Sequence, residues 1–313
     1  MVTLKIDKVS LIQKRHPWIY SGAIASVSDG IGNGSLTPVC DGKGNILCHA
    51  FYSPESRIAC RIISFGDKPP EEGWIDRRIE TAFRLRQYLQ DRTDAWRLVN
   101  GEGDHIPGLV VDVYAKVIVI RPLIKGIELM MDGIINVLKT IFPGALLYIR
   151  RDEHTARIEK IDINNGYVDE KGPDTVTIHE DGIPYQVDII HGQKTGFYID
   201  QRNARDFIRG ISSGRHVLNC FSYTGGFSFS AAQGGAVSVV SVESSGSAIN
   251  LAKRNEELFR TITIDLPEDC FEWIQEDVFS YLKTCDRRFN LIVLDPPPFA
   301  RKRAEVKGAL SGY

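Results

Sequence analysis

Val217-Leu218-Asn219-Cys220-Phe221-Ser222-Tyr223-Thr224-Gly225-Gly226-Phe227 runs from an apolar segment through a polar and aromatic turn into two glycines, after which Phe229, Ala231 and Ala232 carry a short helical pattern. That order predicts strand, glycine-rich turn, helix. In an open α/β sheet such a turn lies at the carboxyl end of a strand, where ligands bind at the switch in strand order. Glycines there let a ligand approach the main chain without a Cβ in the way. The spacing lacks the three glycines of the dinucleotide fingerprint, so a nucleoside without a pyrophosphate suits it better than NAD. Taken alone, the glycine pair is equally what a tight strand-to-helix connection needs for geometry.

The residues downstream shift that balance. From Val217 the pattern becomes βαβα, the signature of a parallel sheet. Strands are expected near residues 237–242, 271–275 and 289–294, with helices near 247–259 and 277–283. Glu243 closes the second strand eighteen residues after Gly225, where a carboxylate can accept from both hydroxyls of a ribose. Asp277 closes the third, placed to accept from an exocyclic adenine amine, although capping the next helix is the ordinary use of Asp at such a position. The fourth strand ends in Asp295-Pro296-Pro297-Pro298-Phe299. Three prolines stiffen the main chain and remove donors, leaving carbonyls and the Asp295 carboxylate to face a planar polar group on which Phe299 can stack.

Upstream, residues 1–73 read as short β segments separated by Gly/Asn clusters, as in a small β-barrel. Within them Lys14-Arg15-His16-Pro17-Trp18-Ile19-Tyr20 interleaves basic and aromatic side chains, a mixture suited to phosphate contact and base stacking, or equally to a barrel with solvated cations. Lys68-Pro69-Pro70-Glu71-Glu72-Gly73 marks a boundary. Residues 74–89 follow a helical period with five arginines between Arg77 and Arg92, more simply a solvated face than an RNA contact. Then come a hairpin at 109–120, a helical stretch at 127–142, strands near 146–150 and Ile158, and a second hairpin at 176–190 turning on Glu180-Asp181-Gly182. The expected organisation is a β-barrel over 1–73, an α+β central domain over 74–190 and an α/β domain over 191–313.

Length and composition describe a globular protein with ample core, and a formal net charge of −2 means that any basic surface is local. No apolar run approaches a membrane span, and the start lacks a signal-peptide core, so a cytoplasmic location is expected. The cysteines at 40, 48, 60, 220, 270 and 285 form no C-x-x-C pair, which favours free thiols and no metal centre.

The 218–227 turn, Glu243, Asp277 and Asp-Pro-Pro-x-Phe together resemble the S-adenosylmethionine-dependent class I methyltransferases, and more narrowly the bacterial large-subunit (23S) rRNA cytosine-C5 methyltransferases with an N-terminal PUA domain. His16-Pro17-Trp18-Ile19-Tyr20-Ser21-Gly22-Ala23 is similar to the family's PUA entrance. Residues 104–112 resemble its central domain, and Gly192 to Arg202 its lead-in. The resemblance implies a Rossmann-like sheet in which Phe221, Tyr223, Gly225 and Gly226 line S-adenosylmethionine. Glu243 would hold ribose and Asp277 would meet adenine, with Thr195 and Phe197 closing over the site. Asp295, Pro296, Pro297 and Phe299 would position a flipped base, and Lys14, Arg15 and Trp18 would touch ribosomal RNA. It leaves the oligomeric state open, a homodimer being one form it allows.

Two departures stand out. The family usually has lysine where Pro298 stands, and its sheet continues through about three further strands after the fourth, so this chain is expected to be C-terminally truncated. The family's nucleophilic cysteine falls in that further part, and none of the six cysteines matches it. An exocyclic-amine RNA methyltransferase, needing no such thiolate, and a non-catalytic RNA- and cofactor-binding protein are the alternatives; an NAD-dependent oxidoreductase is more distant.

Overall fold

A computed structural model describes residues 1–169, 171–263 and 266–298 of the chain. Two compact units emerge, one of Met1–Val176 with Asp188–Gly196, the other of Thr177–Val187 with the chain from Phe197.

The first unit holds two sheets. Six short strands pair in the order Trp18–Tyr20, Ile58–Phe65, Ile46–Tyr52, Leu36–Cys40, Val2–Leu4, Ile24–Val27. Alternate residues, among them Val2, Leu4, Ile19, Val39, Cys48, Ala50, Cys60 and Ile62, form their common core. All six cysteines are free thiols.

The second sheet runs Gly166–Tyr167, Leu146–Ile149, Val117–Pro122, Leu109–Tyr114, Ala95–Asn100. One face is covered by the helices Trp74–Arg86 and Met131–Ile141, whose Ile75, Ile79, Ile134 and Leu138 meet Leu98, Val111, Val113, Ile118 and Ile120. Here one expectation fails. Ile158 lies in a helix, Glu153–Glu159, because Asp152 accepts the Thr155 amide at 2.9 Å and starts a turn there. The strand Ala95–Asn100 gives no clear signal, since the charged Arg97 interrupts its apolar run. The arginines of the Trp74–Arg86 helix have partners within the unit. Arg77 pairs with Glu71, Arg86 pairs with Asp104 at 2.8 Å, and Arg78 lies 4.7 Å over the Trp74 ring.

The second unit carries the parallel sheet expected from the βαβα pattern. Its spatial order is Phe271–Gln275, Ser238–Glu243, His216–Cys220, Leu291–Leu294. His216–Cys220, first in sequence, therefore lies between the second and fourth strands, in register Cys220↔Val242 on one side and Cys220↔Leu294 on the other. The strand order reverses at the carboxyl end of that strand, which makes it a switch point. Phe229, from the helix Gly226–Gln233, packs on one face of the sheet against Phe259, Phe271 and Trp273. Val278 and Tyr281, from the helix Val278–Thr284, pack with Leu218, Cys220, Val240 and Val242 on the other. The mixed α/β, Rossmann-like architecture read from the sequence is the one observed. No helix among the described residues is long and apolar enough to cross a membrane.

Candidate active site

The turn that follows His216–Cys220 is conformationally costly. Phe221 (φ 58°) and Tyr223 (φ 47°) both take the left-handed conformation, as does Gly225 (φ 87°). For each bulky aromatic residue this costs about 1–2 kcal/mol. The surrounding structure over-determines the turn. Ser222 N donates to the Val242 carbonyl at 3.1 Å and Gly225 N to the Ser222 carbonyl at 2.9 Å. Tyr223 N donates to Glu243 Oε2 at 3.0 Å, and the fully buried Asn255 donates to the Thr224 carbonyl at 3.2 Å while accepting Gln186 N at 2.6 Å. Such a held, strained main chain marks a site that must present its amides in one geometry.

The two glycines are explained in part by packing. A Cβ on Gly225 would lie 2.6 Å from Phe229 and from Trp273, and one on Gly226 3.3 Å from Arg205 Cδ. Their bare Cα atoms thus face protein. The Phe221 ring packs edge-on to Phe279 at 6.2 Å and the Tyr223 ring edge-on to Tyr198 at 5.4 Å. Exchanging Tyr223 for glycine relieves about 1–2 kcal/mol of strain and forfeits a ring pair of about 0.5–1.5 kcal/mol. Tyr223→Gly is therefore expected to unfold within about 1 kcal/mol of the parent in urea, yet to bind a nucleoside cofactor more weakly, as calorimetry would show.

Glu243 is engaged on both oxygens: besides Tyr223 N, it accepts Ser245 N at 2.9 Å and Ser244 Oγ at 3.3 Å on Oε1. A carboxylate offers about four lone-pair positions, which leaves capacity for a ribose hydroxyl. Asp277 is the N-cap of Val278–Thr284, with Ser280 N at 3.0 Å and Ser280 Oγ at 3.2 Å. Both bonds fall on Oδ1, so capping and accepting an amine on Oδ2 are compatible. Asp295 is exposed, beside the first strand, and its Oδ2 accepts from Gln201 Nε2 at 3.3 Å. Pro296 and Pro297 follow it in irregular chain, while Phe299 lies outside the described residues.

Sequence reasoning missed Tyr198 and its support. Burial, with the charges of Asp295, Asp200 and Glu243 facing it, pushes the Tyr198 hydroxyl above its ordinary pKa, so it stays protonated at neutral pH. Its carbonyl accepts from Arg205 at 2.9 Å. Arg205 and Arg202 share the buried Glu180, with Nε–O distances of 2.6 and 3.0 Å. Only the lead-in Gly192 to Arg202 hinted at this group.

Thr195 belongs to the first unit, is fully buried, and bonds Asp112 Oδ2 at 2.5 Å and the Tyr114 hydroxyl at 2.7 Å. Phe197, in the second unit and also buried, packs on Tyr185 at 5.0 Å and under Arg205 at 4.6 Å. Both side chains serve the framework. In the first unit the Trp18 indole donates to Glu102 at 2.6 Å and Arg15 lies 5.4 Å over Phe65, while Lys14 is exposed.

The converged groups suit S-adenosylmethionine. Glu243 keeps acceptor capacity that suits a ribose hydroxyl, and Asp277 Oδ2 capacity that suits an adenine amine. The acids Glu243, Asp277 and Asp295 stand at strand ends of one sheet, where negative charge favours a sulfonium cation.

A PUA-like domain model matches residues 2–65 and an S-adenosylmethionine-dependent methyltransferase model residues 156–307. Proteins named ribosomal RNA large subunit methyltransferase I from Escherichia coli O139:H28 and Shigella dysenteriae serotype 1 are each 37% identical over 100% of this chain and 79% of their own length. Among solved structures, one described as a SAM-dependent methyltransferase from Streptococcus mutans superposes with TM-score 0.80 at 21% identity, covering 95% of this chain and 77% of its own. Another, described as a methyltransferase complexed with SAH, gives TM-score 0.82 at 22% identity and covers 96% and 77%. At that identity these two speak for the fold.

Proposed function

The chain belongs to the ribosomal RNA large subunit methyltransferase I family of S-adenosylmethionine-dependent methyltransferases, and from that premise we propose that it methylates a base of large-subunit rRNA, cytosine at C5 being the finer assignment. The observation that carries methyl transfer is the Phe221–Gly225 turn, held strained at a switch point with Glu243 on its Tyr223 amide. When bound, S-adenosylmethionine supplies an electrophilic methyl group on a sulfonium.

The protein's own residues then have distinct tasks. Glu243 holds the ribose, Asp277 Oδ2 the adenine amine, and the main chain of Phe221 to Gly226 the methionine end. Thr195 and Phe197, with buried side chains, set the course of the lead-in segment. Asp295, aligned beside the turn by the Cys220↔Leu294 register, accepts from an amino group on the target base. Pro296 and Pro297 present carbonyls without competing donors, and Phe299 stacks on the flipped base. The PUA-like domain, through Lys14, Arg15 and the face of Trp18, supplies RNA affinity.

Transfer to C5 of cytosine needs a nucleophile at C6, and the family's is a thiolate. Burial pushes Cys48 and Cys60 up to about 12 and Cys220 and Cys270 up to about 11, and it raises Cys40 as well. These five thiols stay protonated at neutral pH, so none of them serves as that nucleophile. A second reading, transfer to an exocyclic amine, is favoured by Asp-Pro-Pro-x-Phe, because an amine attacks without prior addition to the ring.

Labelled S-adenosylmethionine and unmodified large-subunit rRNA, followed by nucleoside mass spectrometry, decide between them. 5-Methylcytidine supports the finer assignment, and an N-methylated nucleoside replaces it. Cofactor binding with no transfer removes both. In any active preparation Cys220→Ala is expected to alter turnover by no more than about twofold, since a thiol with pKa about 11 does not act as nucleophile; abolished turnover with native stability would make Cys220 the nucleophile.

A further inference from the structure

The five-stranded sheet of the first unit has a second face, opposite its helices. Strand alternation places Arg97, Asp112 and Arg121 on it, with Arg97 opposite Asp112 and Arg121 opposite Val110. Arg150 follows the adjoining strand, its amide on the Ile120 carbonyl at 2.9 Å.

Most charges gathered there are matched. Arg97 makes a bidentate pair with the fully buried Asp112, at 2.8 and 3.0 Å, and Asp112 Oδ2 also accepts from Thr195. Arg150 donates to the carbonyls of Ile189 at 3.3 Å and Gly192 at 2.6 Å. Asp152 is occupied as the cap of Glu153–Glu159. Arg121 is the exception. Its Nε is buried without an acceptor, and among the described residues its guanidinium makes no hydrogen bond or salt bridge. Burial comes first and the neighbouring Arg150 second in making it harder to keep charged, while Asp152 and Asp112 offset this in part.

A half-buried cation between two others, with a donor facing no acceptor, is a loss for folding. A neutral side chain would pack opposite Val110 at no such penalty. The arrangement becomes favourable once an anion with paired acceptors arrives, which is what the two non-bridging oxygens of a phosphodiester offer a guanidinium fork. We propose that Arg121, flanked by Arg150 and Arg97, is a phosphodiester-binding site that takes a backbone phosphate of the RNA substrate. This rests on the rRNA reading above and adds the central sheet to the surface that RNA contacts.

The test compares the full chain with Arg121→Met and Arg121→Lys, using transcribed large-subunit rRNA as probe. Binding is measured over a range of salt, with urea unfolding and inorganic phosphate protection alongside. Expected for Arg121→Met are roughly tenfold weaker binding near physiological salt and a salt slope lower by about 1, with a urea midpoint equal to or above the parent's. Arg121→Lys should keep the slope while losing part of the affinity, since it keeps charge without the fork. RNA bound by the parent with unchanged slope and affinity in Arg121→Met overturns this inference alone, as does a lowered urea midpoint with normal RNA binding. Phosphate protection lost in the variant with RNA binding intact would assign the site to free phosphate and overturn the RNA assignment. A parent that binds no rRNA overturns this inference and the rRNA reading together.

Discussion

Glu180→Ala is expected to lower the stability of the second unit by about 3–5 kcal/mol, because it strands two buried guanidiniums without their counter-charge. Glu180 is 3% exposed, Arg205 3% and Arg202 8%, so water does not replace the lost carboxylate. Urea unfolding followed through Trp273, the single tryptophan of this unit, reads the change. Replacing all three groups by leucine and methionine should recover much of that loss, since a buried ionic cluster competes poorly with well-packed apolar side chains. Cofactor affinity should not recover with it. Arg205 NH1 also holds the Tyr198 carbonyl, and the guanidinium lies over Phe197; methionine supplies neither. Stability regained together with full S-adenosylmethionine affinity would show that the cluster does not position Tyr198.

The parallel sheet was legible because its strands are short apolar runs that each end in a chemically distinct residue. Periodicity alone separated them from the helices between, and Asp277 announced one of the helix starts, whereas the Ser245 cap emerged only from the structure. The acids Glu243, Asp277 and Asp295 were found from their position after a strand. Their partners were not. That Glu243 receives the Tyr223 amide, or that Asn255 reaches the Thr224 carbonyl 31 residues away, depends on tertiary placement that no local pattern encodes. The left-handed φ of Phe221 and Tyr223 ran against residue preference, which is why sequence pointed at the neighbouring glycines instead. Their Cβ positions turn out to be filled by Phe229, Trp273 and Arg205. Ile158 was misread because one apolar residue among charged ones has no period. The Glu180–Arg202–Arg205 cluster stayed hidden because a buried arginine looks like an exposed one until its burial is known.

Glu243→Ala should weaken S-adenosylmethionine binding by about 10²- to 10³-fold, or about 3–4 kcal/mol, within the range typical of truncating a hydrogen-bonded charge in a binding site. Two losses combine: the ribose loses its acceptor, and the Tyr223 and Ser245 amides lose the group that fixes the strained turn. Glu243→Gln is expected to fare nearly as badly. Oε2 accepts from Tyr223 N and Oε1 from Ser245 N, so a glutamine, in whichever orientation, sets its NH2 against a backbone donor. Adenosine separates the two ways in which the carboxylate acts. A role at the ribose lowers adenosine and S-adenosylmethionine affinity by the same factor, whereas attraction of the sulfonium lowers the second and spares the first. Calorimetry with both ligands distinguishes them, and affinities within threefold of the parent for both would remove Glu243 from the site. The shared loss is the expected result, because the carboxylate is already tied to the turn by two amides and to the Ser244 hydroxyl, and its remaining lone pair is a directional acceptor better matched to a hydroxyl than to a diffuse cation.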